Sequence, residues 1–166
     1  MESIPYDRSG TTMKRFDLCR ACRAEYEDPL NRRFHAQPNA CPDCGPQVEC
    51  WDPDGKPLAM RTAALQAAAR AIGDGAVVAV KGLGGFHLAV DAENNNAVAN
   101  LRKKKNRAEK PFALMARDLE KISEFAELGA EEEKTLLSPS RPIVIVQKKR
   151  RGSIARLVAP GNRYLG

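Results

Sequence analysis

Aromatic residues make up only 5% of the chain, histidine appears twice and tryptophan once. That scarcity argues against an extended base-stacking platform of the kind that holds single-stranded nucleic acid. No apolar run approaches the roughly 18 residues that a membrane span requires. The polar stretch Met1–Thr12 lacks the apolar core of a secretory signal. These absences predict a soluble, cytoplasmic protein. Cysteine is missing after residue 50, so any cysteine chemistry belongs to the first third of the 166 residues. What is present is a globular balance, 43% hydrophobic and 29% charged, which excludes wholesale disorder. The 27 Lys and Arg outnumber the 21 Asp and Glu, giving a net charge of +6 that favours anionic partners.

The composition changes along the chain. Residues 1–57 carry all five cysteines and seven of the eleven prolines, with little periodic apolar pattern. Such a stretch cannot fold on hydrophobic burial alone and needs a staple. The turn formers Asp52-Pro53-Asp54-Gly55 mark a boundary, which predicts a small module over 1–57 and a second domain over 58–166. In that second part, apolar residues from Met60 to Ile72 recur at helical spacing and stop at Gly73 and Gly75. Ala76–Val80, Phe86–Val90, Phe112–Met115 and Ile143–Val146 read as strands, the first and last of them buried. Ala97–Lys104 reads as a helix. Asp118 suits the cap of another that carries Leu119, Ile122 and Phe125 and ends at Gly129. Glu131–Glu133 suit the first turn of a third. The alternation predicts an α/β (α+β) domain with a mostly or partly parallel sheet.

The most specific chemical signal is the pairing of Cys19-Arg-Ala-Cys22 with Cys41-Pro-Asp-Cys44. Two residues between thiolates let one turn present both sulfurs to one ion, and two such pairs complete a tetrahedron. Cys19, Cys22, Cys41 and Cys44 are therefore candidate ligands of a structural zinc ion. A disulfide or redox role is the competing reading, which a reducing compartment and the doubling of the motif disfavour. Cys50 reads as a small apolar residue, and His35 as a loop histidine with ligation as its alternative.

Basic residues gather in two runs, Arg102–Arg107 with Lys110, and Lys148–Arg151. Each can be a solvated face. The first leads into Pro111-Phe112 and an apolar segment, so it would sit at the mouth of a strand, where α/β sheets take anions. Lys81 precedes the glycine turn Gly82-Leu83-Gly84-Gly85, a turn that can let backbone approach phosphate.

The segments Ile4-Pro-Tyr-Asp-Arg8, Glu25 through Pro38 and Cys41-Pro-Asp-Cys-Gly-Pro46, with the Cys19/Cys22 pair, closely resemble the second zinc finger of HypF-type carbamoyltransferases. These enzymes act in the maturation of [NiFe]-hydrogenase. Lys81 through Leu88 and Arg102 through Met115 resemble the start of their YrdC-like domain.

The resemblance implies a small four-cysteine zinc-finger module followed by an incomplete YrdC-like twisted-sheet domain. It implies that carbamate, released from carbamoyl phosphate, is joined to ATP (with Mg2+) as carbamoyl-adenylate. The carbamoyl group would then pass to the C-terminal cysteine of a HypE-type partner. Lys105-Asn106-Arg107 matches the family's Lys-x-Arg pattern. Lys105, Arg107 and Lys110, with Lys81, would then hold ATP and carbamate. The family's Ser-x-Asn nucleotide motif has no counterpart here, since neither Ser138-Pro-Ser140 nor Pro160-Gly-Asn162 fits it. The chain therefore reads as a fragment, inactive alone. Relatives of the YrdC type are also credited with double-stranded RNA binding, so the competing reading is a finger with a basic surface that contacts RNA or a protein.

Overall fold

The computed structural model describes residues 4–166, which divide into two compact units between Ala67 and Ala68. In the first unit, two 3-10 turns, Arg8–Gly10 and Thr12–Arg15, precede helix α1 (Arg20–Glu27). Asp7 caps the first turn by accepting from the Arg8 N–H at 2.7 Å, and Thr11 Oγ1 caps the second through the Met13 N–H at 3.2 Å. After α1 the chain runs through short turns, in which the Asp28 and Asn31 side chains accept from the N–H groups two residues on. Strands β1 (Glu49–Trp51) and β2 (Pro57–Met60) then form an antiparallel hairpin that pairs Cys50 with Ala59. The Asp52–Lys56 segment is the tip of this hairpin, closed by Asp52 Oδ1, which accepts from the N–H groups of Asp54 and Lys56. Helix α2 (Arg61–Gly73) crosses the division between the units.

The second unit opens with hairpin β3 (Val78–Gly82) and β4 (Gly85–Ala89), followed by α3 (Asn95–Lys104) and α4 (Leu119–Phe125). Strand β5 (Ala126–Glu127), helix α5 (Ala130–Leu137), strand β6 (Val146–Lys148), a 3-10 turn (Arg156–Val158) and β7 (Tyr164–Leu165) complete it. Its core joins Val98 of α3 to Phe125, Ala126, Val146, Ile154, Val158 and Leu165. Both ends of α3 are well capped. Asn94 Oδ1 accepts from the N–H groups of Asn96 and Ala97. Among the described residues, no helix is long and apolar enough to cross a membrane.

The mixture of helices and small sheets agrees with the expected class, but the expected parallel pairing is corrected. Every strand pair among the described residues is antiparallel, in the orders β1-β2, β3-β4 and β5-β6-β7. The reason is local: Leu83-Gly84 is a two-residue link, which returns a strand on itself and cannot make a parallel crossover.

Four element readings also shift. The strand expected to be buried over Ala76–Val80 is β3, Val78–Gly82, an edge of a two-stranded hairpin in which Val80 is 49% exposed. Phe112–Met115 is extended without being a strand, although the Phe112 N–H donates to the Val158 carbonyl at 2.9 Å and the Leu114 N–H to that of Gly166 at 2.8 Å. The run Ile143–Val146 reaches strand geometry only at Val146. Its β7 partner is two residues long, and Ile143 and Ile145 remain 69% and 65% exposed. Gly129 does not end α4 but starts α5, where Glu132 Oε2 accepts from the Gly129 N–H at 3.1 Å.

Candidate metal centre and basic loop

The first unit brings its two Cys-x-x-Cys pairs together. The sulfurs of Cys19, Cys22, Cys41 and Cys44 all lie within 4.8 Å of one another. Zinc–sulfur bonds of about 2.3 Å in a tetrahedron place neighbouring sulfurs about 3.8 Å apart. The Cys19–Cys41 and Cys41–Cys44 separations are 3.8 Å and 3.7 Å. The four thiols thus fit a tetrahedral zinc ion, with no position left open for substrate. They ionise unequally. Burial and the neighbouring thiols push Cys22 up to about 12, whereas backbone N–H groups at Cys19 and Cys41 hold Cys44 down to about 6. A bound cation would remove that inequality by favouring four thiolates. His35 stays outside the group, with its ring edge-on to Phe34 at 4.4 Å and 5.1 Å from Tyr26. Cys50 is half-buried in β1 and also stands apart.

The frame around the thiols uses residues whose role the sequence alone did not show. Asn39 is buried, and its Nδ2 donates to the Cys22 carbonyl at 2.9 Å. Arg8 Nη1 donates to the carbonyls of Gln37 and Asn39 at 2.8 Å and 2.7 Å, and Nη2 donates to that of Phe16 at 2.7 Å. The Tyr26 hydroxyl donates to Asp7 Oδ1 at 2.7 Å and lies 2.8 Å from Gln37 Oε1. That hydroxyl, with the Arg8 N–H, lowers the pKa of Asp7 below the usual carboxylate range. Gly45 turns the second pair, since a Cβ there would lie 2.9 Å from both the Ala40 Cβ and the Cys41 carbonyl.

In the second unit, α3 ends in a Schellman turn: the Asn106 N–H donates to the Lys103 carbonyl and the Arg107 N–H to that of Arg102. Asn106 adopts φ 45°, a left-handed conformation that asparagine tolerates better than most residues. The turn throws Arg107 back toward the following loop. There Arg107 Nε donates to the Lys110 carbonyl at 3.1 Å and Nη2 to that of Pro111 at 2.7 Å. Lys105 and Lys110 are exposed.

Arg102, which looked like one more member of a basic run, is 7% exposed. Its guanidinium donates to the carbonyls of Leu157 (2.5 Å), Arg107 (2.7 Å), Ala108 (3.2 Å), Lys110 (3.3 Å) and Val158 (3.2 Å). The Phe112 ring lies 4.6 Å from Arg102 and 5.2 Å from Arg107. Arg102 is therefore the brace of the loop that carries Arg107 and Lys110. Lys81 lies elsewhere, exposed on β3 with its ammonium 5.8 Å from the ring of its cross-strand partner Phe86. The glycines after it close a hairpin.

Comparison with known proteins follows the same division. Residues 18–51 match the HypF finger, and residues 70–166 match the Sua5/YciO/YrdC family, described as telomere recombination. The carbamoyltransferase HypF of Rhodobacter capsulatus is 50% identical over all 166 residues. That of Synechocystis is 45% identical over the same length. The chain spans 22% of each of these relatives. Among solved structures, HypF of T. kodakarensis is 47% identical with a TM-score of 0.80, covering 99% of this chain and 22% of that one. Full-length HypF in a phosphate- and nucleotide-bound form is 45% identical with a TM-score of 0.73, covering 100% and 21%. With more than half its length matched by one family model, the chain belongs to the Sua5/YciO/YrdC family, its YrdC-like domain preceded by a HypF-type finger.

Proposed function

We propose that this chain serves as part of a HypF-type carbamoyltransferase acting in the cytoplasm, in which residues 1–57 form a zinc-stapled module and 58–166 contribute to a carbamate-adenylating site. The observation that carries this reading is the uninterrupted match of both units, in order, to HypF carbamoyltransferases. In the proposed reaction a carbamate oxygen attacks the α-phosphorus of ATP, pyrophosphate leaves, and carbamoyl-adenylate forms. The thiol sulfur of the C-terminal cysteine of a HypE-type protein would then attack the carbamoyl carbon, the bond to the adenylate oxygen would break, and AMP would leave with the thiol proton passing to solvent.

Attack of a carboxylate on a polyphosphate brings like charges together, and fixed cations offset that repulsion most in the transition state. Lys105 and Lys110 would supply exposed ammonium groups. Arg107 keeps its remaining N–H groups for an anion while its carbonyl contacts hold it in place. Lys81 would act from the β3–β4 hairpin. Zinc on Cys19, Cys22, Cys41 and Cys44 would act as a staple, and Mg2+ would enter with ATP.

The test is carbamoyl-phosphate-dependent exchange of pyrophosphate into ATP, run on this chain and on the longer enzyme that contains it. Exchange by the longer enzyme, lost when Lys105 and Arg107 are both replaced by alanine, is the expected result. Exchange that is absent from the longer enzyme, or indifferent to those residues, would refute the reading. The 166-residue chain alone is expected to show none.

A further inference from the structure

The outer face of the β1–β2 hairpin has no part in the proposed reaction. In an antiparallel pair, opposite residues share a face and neighbours along a strand alternate. Glu49 lies opposite Met60 and Trp51 opposite Pro57, while Cys50 and Ala59 share the other face. The irregularity beside Trp51 makes Leu58 an extra residue in β2. Cys50 and Ala59 are half-buried, so their face looks inward. Trp51, Leu58 and Met60 are 59%, 65% and 53% exposed. Apolar side chains gathered on one open face mark an interaction surface more often than scattered ones do.

Trp51 is the chain's single tryptophan, and its orientation is fixed. Its Nε1 donates at 2.7 Å to Glu49 Oε2, two residues back on the same strand. That bond engages the positive edge of the indole and leaves the negative π face for a ligand. Elsewhere the chain sets cations over aromatic rings at four places: Lys81 on Phe86, Arg102 and Arg107 on Phe112, and Arg163 on Tyr164. Among the described residues no cation lies over Trp51, although indole is the strongest acceptor of one. The surroundings are acidic in a chain of net charge +6. Glu49, Asp52 and Asp54 face only Lys56 within residues 49–60, and Arg61 just beyond is paired with Asp43 at 3.7 Å.

We infer that this hairpin face docks a separate protein through an arginine that stacks on Trp51. A guanidinium stacks by its plane and keeps its N–H groups at the rim for carboxylates, a pair of demands that Trp51 and Glu49 meet side by side. Leu58 and Met60 would take the apolar residues beside that arginine. An apolar centre with a charged rim is the make-up of an interface that forms and dissolves, whereas a permanently covered face is more uniformly apolar. The surface belongs to the first unit and includes none of Lys81, Lys105, Arg107 and Lys110, so it goes beyond the carbamate chemistry.

The emission of Trp51 reports on this face alone, because the chain has no second tryptophan. The probe is the acetylated, amidated peptide Leu-Arg-Leu-Arg-Leu, titrated at an ionic strength of about 0.15 M. The control peptide carries citrulline at both arginine positions, which keeps the shape and removes the charge. A saturable change in emission is expected with the arginine peptide, and binding about tenfold or more weaker with citrulline. A lysine peptide should fall between them, since ammonium supplies charge without stacking. Glu49→Gln keeps an acceptor for the indole N–H and should weaken the arginine peptide about fivefold. No saturable response to the arginine peptide would overturn the proposal. So would equal binding of the citrulline peptide, since the face would then be merely apolar.

A second measurement separates a partner protein from the remainder of the longer enzyme. Leu58→Cys is introduced into that enzyme and into this chain, and its maleimide labelling is followed by peptide mass spectrometry. Equal labelling rates are expected. Protection in the longer enzyme would show that the enzyme itself covers the face, which would overturn docking of a separate protein.

Discussion

Arg8 Nη1 lies 2.7 Å from the Asn39 carbonyl, and the side chain of Asn39 in turn holds the Cys22 carbonyl at 2.9 Å. An arginine outside the matched finger, residues 18–51, is thereby linked through one residue to the helix that carries a metal ligand. Outer contacts of this kind fix the orientation of ligands and alter metal affinity by about 10- to 100-fold when lost. Arg8→Ala is expected to speed zinc loss to a competing chelator about tenfold. Arg8→Lys should fall in between, because one ammonium cannot fork across three carbonyls. Chelator-challenge kinetics followed with a metal dye decide the matter, and wild-type rates in both variants would exclude a role for Arg8.

Removal of a ligand should act on one unit only. Cys41→Ser leaves three thiols where the geometry suits four, and residues 15–50 have little apolar burial to fall back on. The second unit has its own core around Val98, Val158 and Leu165. Amide hydrogen exchange should therefore show protection lost over residues 15–50 and kept in α3 and β6. Zinc analysis of the unaltered chain should give about one ion per molecule. Loss of protection in both units would refute this independence.

Arg102 makes a sharper case than its charge suggests. Its guanidinium satisfies carbonyls on both the 107–110 loop and the 157–158 turn, and a lysine can reach only part of that set. Arg102→Lys is expected to cost roughly 2–4 kcal/mol, because buried carbonyls lose their donor and a buried charge loses its partners. Denaturant unfolding followed by circular dichroism measures this. A change smaller than that of a surface lysine substitution would show that the loop does not depend on the brace.

Asn106 sits at φ 45° where α3 turns into that loop. Asn106→Gly should be close to neutral, since glycine adopts the left-handed region without penalty, whereas Asn106→Val should cost about 1–2 kcal/mol. Thermal unfolding of the two variants supplies the comparison, and equal midpoints would mean that the turn relaxes to another geometry.

These residues show what the sequence could and could not reveal. The four thiols were legible because metal chemistry constrains both residue type and spacing, so the pattern survives without any knowledge of the fold. The last residue of α3 and the Asp118 cap were legible because helix-end signals are local, whereas α3 starts at Asn95 behind the Asn94 cap, two residues before the expected Ala97. Arg102 and Arg107 were not separable by sequence. Both are arginines in one basic run, and only the position of the 157–158 turn, more than 50 residues away, decides that Arg102 is the buried one. Arg8 was visible as part of a motif, but its partners at Gln37 and Asn39 lie about 30 residues on. The parallel sheet was expected from alternating elements, and that pattern does not encode which strands pair.

Glu93 ties the loop that carries Ser153 to α4, and its charge gives the contact a definite pH dependence. Glu93 Oε1 accepts from Ser153 Oγ at 2.6 Å and pairs with Lys121 Nζ at 3.0 Å. The Ser153 hydroxyl first, and then Lys121, hold the Glu93 pKa below its ordinary value of 4.5. A carboxyl whose pKa is lower in the folded protein than in the unfolded chain stabilises the fold fully above the unfolded value. That contribution is lost as pH falls through the folded value. Glu93→Gln should therefore be less stable than the parent at neutral pH, by well under about 1 kcal/mol because the pair is partly exposed. The difference should shrink as pH falls below about 4.5 and through the folded value. Urea unfolding of both proteins from pH 7 to pH 3 checks the sign. A gap that stays constant across this range would place the effect in the shape of the side chain and not in its charge.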